Sequence, residues 1–96
     1  MIRFDRVDRS RTATLDVRWH PKEGDDWFRI HYSDPATEFD CGWHQDGDYP
    51  ELGSAHFQWC DGDEEPTRES VQFSHDTPVR ILWECLERLE TVLDER

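Results

Sequence analysis

The sequence predicts an α+β fold: an antiparallel meander of about five to six strands, with one C-terminal amphipathic helix packed on one sheet face. Three observations carry that prediction. Apolar and polar residues alternate with a period of two through the first three quarters of the chain. The alternating runs are short and separated by turn residues, as hairpin-linked strands require. After residue 77 the apolar period changes to helical spacing.

Ile2 and Phe4 open the chain as a short strand, and Asp8-Arg9-Ser10-Arg11 supplies a polar turn. From Thr12 to His20, Leu15, Val17 and Trp19 alternate with Thr14, Asp16, Arg18 and His20. Pro21 to Asp26, with Gly24 inside it, is a turn. In the next strand Phe28, Ile30 and Tyr32 share one face, and Trp27, Arg29, His31 and Ser33 the other. Asp34-Pro35 reverses the chain, and Phe39, Cys41 and Trp43 then oppose Glu38, Asp40, Gly42 and His44. Gln45 to Gly53 is a loop, after which Ala55, Phe57 and Trp59 oppose Ser54, His56, Gln58 and Cys60. The acidic stretch Asp61 to Pro66 is a solvated turn. Val71 and Phe73 opposite Ser70, Gln72 and Ser74 predict a last strand.

The helix is expected over about 78–94. Thr77 suits an N-cap, and Pro78 fits the first helical position, where its missing N–H costs little. Val79, Leu82, Leu86, Leu89 and Leu93 recur as an apolar stripe flanked by Cys85 and Val92. The predicted core is that stripe against Leu15, Val17, Trp19, Phe28, Ile30, Tyr32, Phe39, Trp43, Phe57, Trp59, Val71 and Phe73. Large aromatic side chains let a short chain bury enough area. At 96 residues the chain is short for two ordinary domains, so residues 1–96 are expected to form one.

Composition narrows the function classes. The chain has 23 acidic and 11 basic residues, a formal net charge of −12, and Lys22 is its one lysine. Five Trp and five Phe argue against the disorder that such charge would otherwise suggest. An acid-rich, lysine-poor, arginine-retaining balance fits a halophilic protein, because molar salt screens self-repulsion beyond ~3 Å. Met1 to Asp5 lacks signal-peptide character and no apolar run reaches the ~20 residues of a membrane span, so a cytoplasmic location is expected. Three Cys without a C-x-x-C pair fit reduced thiols, with Cys41 and Cys85 packed as small apolar groups. Residues 1–20 carry five Arg against three Asp, a net of +2 in an otherwise acidic chain. Pairing of that first hairpin with neighbouring carboxylates is the expected use.

Strand parity places His20, His31, His44 and His56 on the face opposite the core, together with Asp16, Arg18, Arg29, Asp40 and Gln58. Antiparallel pairing is expected to set Arg18 beside Arg29, Asp16 beside His31, His31 opposite Asp40, and His44 near His56. A His held by Asp can exchange protons near neutral pH, and paired Arg can hold a phosphate. This predicts metal-free RNA cleavage without a cofactor. His31, His44, His56 and Asp40 are the candidate catalytic residues, and Arg18, Arg29 and Trp27 the candidate substrate-binding residues. Trp27 would stack a base. His75, before the helix, is read as structural, and Trp83 is not explained by the core pattern.

A metal reading competes. Cys41-x2-His44 and His56-x3-Cys60 have the look of a four-ligand zinc spacing. On strands, however, Cys41 and His44 point to opposite faces, and His56 and Cys60 stand roughly 13 Å apart. A site using His44 and His56 with a carboxylate is the more plausible form.

The stretch Trp43-His44, Tyr49-Pro50-Glu51-Leu52 and His56-Phe57-Gln58, followed by a polar strand and a terminal helix, resembles the TumE family of small toxin–antitoxin proteins. That layout covers roughly residues 13–93. His44 and His56 match the family's first two histidines, Gln58 stands where a further His is expected, and Cys41-Gly42 replaces an Asp-Asn-like pair. The resemblance implies a toxin encoded beside a helix-turn-helix antitoxin and acting on RNA. The expected partners are therefore an antitoxin protein and RNA, with a homodimer as a further option and no membrane. The alternatives are a non-enzymatic protein-interaction module and a small metal-binding domain.

Overall fold

In the computed structural model, which describes residues 2–7 and 12–96 and side chains from Ala13 onward, six strands form one antiparallel sheet. They are β1 (Ile2–Val7), β2 (Thr12–His20), β3 (Trp27–Asp34), β4 (Phe39–Gln45), β5 (His56–Asp61) and β6 (Thr67–Ser70). Their spatial order follows the sequence, β1-β2-β3-β4-β5-β6, so each strand pairs antiparallel with the next one in the chain. The Asp8–Arg11 turn and the side chains of the Arg-rich first hairpin up to Thr12 lie outside the described residues. Among the described residues one α-helix, α1 (Pro78–Asp94), packs against the sheet, and a 3-10 turn spans Pro50–Leu52 between β4 and β5.

Alternation decides which face the helix covers. Ala13, Leu15 and Val17 of β2, Phe28, Ile30 and Tyr32 of β3, and Phe39, Cys41 and Trp43 of β4 form one buried cluster with Ile81, Cys85 and Leu89 of α1. Phe28, Ile30, Cys41, Trp43 and Cys85 are almost completely enclosed. Each fully buried large apolar side chain contributes about 1.5–3 kcal/mol. Trp19 stacks on Phe28 at 4.4 Å between ring centroids, and Trp43 meets Phe57 at 4.8 Å. Burial pushes the Cys41 and Cys85 thiols up to about 12, so both stay protonated and serve as packing groups.

Two details of the helix differ from expectation. The stripe centres on Ile81, Cys85 and Leu89, with Leu82, Leu86, Val92 and Leu93 at its margins. Val79 is exposed because it stands two residues, roughly 200° of helix, from Ile81. Thr77 is the N-cap in extended conformation, but its side chain makes no capping bond. Its carbonyl accepts the Ile81 N–H at 2.9 Å.

The last strand is also corrected. It runs over Thr67–Ser70 and not over 70–74, because helix side chains claim the backbone that would have continued the ladder. The Val71 N–H still reaches Ala55 O at 3.4 Å. Beyond it, Arg88 donates to Gln72 O at 2.9 Å and the Ser74 N–H donates to Glu84 at 2.9 Å. Val71 and Phe73 keep their predicted contact with the core, now from a segment tied to the helix. No described helix is long and apolar enough to cross a membrane.

Candidate functional site

The face away from the helix carries the polar residues of β2 to β5, and strand register decides which of them meet. Asp16 pairs with His31 and Arg18 with Arg29 across β2 and β3, and His44 pairs with His56 across β4 and β5. Between β3 and β4 the partner of His31 is Gly42, and Asp40 pairs with Ser33. The expected His31–Asp40 contact forms on the diagonal instead, with His31 Nε2 3.2 Å from Asp40 Oδ1.

Gly42 explains what happens next. A Cβ there would overlap His31 Nδ1 and lie 2.8 Å from Ile30 O and 2.9 Å from His44 Nε2. Without it, the His31 ring lies over the β4 backbone and places Nδ1 3.1 Å from His44 Nε2. The rings of His31, His44 and His56 then run in file, with centroids 5.3 Å and 5.2 Å apart. With Asp40 ionised and His31 neutral, the direction of this chain follows. Asp40 accepts from His31 Nε2–H, so His31 Nδ1 accepts from His44 Nε2–H, and His44 Nδ1 keeps its lone pair.

The group divides into two zones. Around β2 and β3, Asp16, Arg18, Arg29, His31, Ser33 and Asp40 line an open polar pocket of about 210 Å³. Arg18 and Arg29 are exposed, and among the described residues no carboxylate ion-pairs with either. At the β4–β5 end the sequence connecting the two strands comes back over the sheet. Tyr49 meets His56 edge-on at 5.0 Å, and Arg68 lies 4.4 Å above the Tyr49 ring. His44 and His56 are consequently buried, at 6% and 3% exposure.

Burial first, and Arg29 after it, hold the His31 imidazole below its ordinary value against the pull of Asp40. Burial, then His31, Arg29 and His56, press His44 down to about 3. His44 is therefore neutral near pH 7 and cannot act as the general acid of a two-histidine mechanism. His31 is engaged at both nitrogens, so it has to release His44 before Nδ1 can take a proton.

Trp27 does not join the pocket. It packs on the His20 ring at 5.0 Å, at the end of the β2–β3 hairpin. Cys41 faces the core, away from His44, and Cys60 donates to Glu64 O at 2.9 Å, so the four-residue zinc spacing does not converge. His75 is exposed beside the helix. Sequence reasoning missed Asp46, whose Oδ1 accepts the Asp48 N–H at 3.0 Å while Oδ2 stands 3.9 Å from His44 Nδ1. The signal was present as His44-x-Asp46 at the strand end. It also missed the role of Gly42, a glycine in the middle of an otherwise regular strand.

Comparison with known proteins returns no match: no family model, no curated protein and no solved structure matches the chain.

Proposed function

We propose that this chain is a toxin-like protein of a salt-rich cytoplasm that engages RNA through the Arg18–Arg29 pocket. One observation carries the reading. Arg18 and Arg29 pair across β2 and β3 and line one pocket, without a carboxylate ion-pair partner among the described residues, beside a His–Asp pair. Like charges placed directly opposite are unfavourable unless an anion lies between them. A phosphodiester satisfies both, because each guanidinium can donate a pair of hydrogen bonds to phosphate oxygens.

Cleavage would follow from the same arrangement. Once His31 leaves His44, its ring stays held at Nε2 by Asp40 and offers Nδ1 as base to the ribose 2′-hydroxyl. The 2′-oxygen attacks phosphorus, the guanidinium pair carries the charge on the phosphoryl oxygens, and water protonates the departing 5′-oxygen. The antitoxin partner is inferred from the Trp43-His44 to Gln58 motif alone.

Binding of a fluorescent oligoribonucleotide tests the reading. Arg18→Ala and Arg29→Ala should each weaken it roughly 10–100-fold, the worth of a charge-assisted bond. His31→Ala should keep binding and abolish cleavage of the labelled strand. Unchanged affinity in both Arg variants would remove the RNA reading and leave a protein-interaction surface in its place.

A further inference from the structure

The covered end of the polar face is built differently from the pocket and asks for a different ligand. His44 and His56 pair across β4 and β5 with their rings at 74° to each other. One ring nitrogen from each and one carboxylate oxygen of Asp46 lie within 4.8 Å of one another.

Two observations indicate that these residues lack something. His56 is only 3% exposed, and its Nε2 has no hydrogen-bond partner among the described residues. A buried polar nitrogen is normally satisfied, so one without a partner calls for an explanation. The second observation is the proton chain. With the Asp40–His31–His44 bonds in place, the lone pair of His44 Nδ1 stands 3.9 Å from a carboxylate oxygen, which is also an acceptor. That separation is too long for a hydrogen bond, and neither atom carries a proton to share.

We infer that His44, Asp46 and His56 form a binding site for a divalent transition-metal cation of the zinc class, closed on the solvent side by the loop after β4. Two imidazoles and one carboxylate are a recurrent three-ligand set for such ions, with a fourth position left for water or substrate. Donors about 2.0–2.2 Å from an ion lie roughly 3.5 Å from one another, so binding draws the Asp46 loop inward. The remaining nitrogen of His44 is already committed to His31, and His31 to Asp40. A histidine ligand oriented through its other nitrogen toward a carboxylate is the usual outer support of a metal site. Gly42 belongs to that support, since its missing Cβ is what lets His31 reach His44.

The ion would pin the loop over β4 and β5. Metal binding here is independent of the RNA reading, and its test contains no RNA, so either can fail alone.

Calorimetric zinc titration of the full chain, purified without a polyhistidine tag and stripped with EDTA in salt-rich buffer, decides the matter. One Zn2+ per chain is expected. Asp46→Asn and His56→Gln should each weaken it at least ~10-fold with near-UV circular dichroism unchanged. Because His56 is buried, Asp46→Asn is the decisive variant if His56→Gln does not fold. Co2+ in place of Zn2+ should give visible absorption that the Asp46→Asn protein loses. Exposed His75 lies outside the site, and His75→Ala should bind as the unaltered chain does. Zinc binding that survives Asp46→Asn, or that disappears with His75→Ala, overturns the assignment. So does a stripped chain that takes up no zinc.

Discussion

Strands β2 and β4 belong to the same sheet and follow the same alternation, yet only one of them behaves as alternation predicts. In β2 the inward residues Ala13, Leu15 and Val17 are buried, Thr14 and Asp16 are half-buried, and Arg18 is exposed. In β4 Cys41, Gly42, Trp43 and His44 are buried in succession, so both faces are covered. The helix covers one face of β4, and the Tyr49 region covers part of the other. The difference teaches what each polar face can do. Arg18 and Arg29 are exposed and have no ion pair among the described residues, so they can meet a ligand from solution. Buried His44 and His56 have their hydration removed by folding, so partners must be supplied within the protein or by a tightly held ion.

The largest expected effect breaks the comparison on the helix side of β4. Trp43 is 2% exposed and packs on Phe57, so Trp43→Ala should cost about 3–5 kcal/mol, a loss that removes much of the stability of so small a chain. Urea unfolding in high salt measures it. A loss below about 1 kcal/mol would mean that β4 is not the centre of the core.

A smaller effect breaks it on the other side. Gly42→Ala places a methyl group against His31 Nδ1 and Ile30 O, and the backbone oxygen cannot swing away. Overpacking of this kind should cost about 1–3 kcal/mol in the same unfolding experiment. Adding His31→Ala to Gly42→Ala removes the nearest of the three obstacles, the others being Ile30 O and His44 Nε2, and should return part of that loss. If the double variant is no more stable than the sum of the single ones predicts, the His31–His44 contact is not what Gly42 protects.

The contrast also marks where sequence reasoning reaches and where it stops. Period-two alternation assigns β2 to β5 to their correct faces, because side-chain direction in a strand is set by parity alone. Hairpin connection then brings Arg18 to Arg29 and His44 to His56. Alternation carries no information about what a long connection does after it leaves the sheet. The burial of His44 and His56, and the approach of Asp46, were therefore outside its reach. The same limit applies at 71–74, where Arg88 and Glu84 capture a backbone that reads locally as a strand. Gly42 was visible as a mid-strand glycine, a recognised mark of close approach. What approaches it depends on the β3–β4 register, which parity leaves undetermined by steps of two.

The smallest stability effect is the one that sharpens the comparison most. Arg18 is exposed, faces Arg29, and has no ion pair among the described residues, so Arg18→Ala should change stability by no more than about 0.5 kcal/mol. The sign should be toward greater stability at low salt, because a like-charge neighbour is removed. Near 1 M salt, where the Debye length is only ~3 Å, the difference should vanish. Urea melts of both proteins at low and high salt read the effect directly. A loss above about 1 kcal/mol would make Arg18 a structural residue and deprive the pocket of its spare charge. A neutral result, set beside weakened RNA binding by the same variant, would place β2 on the side of ligand and β4 on the side of fold.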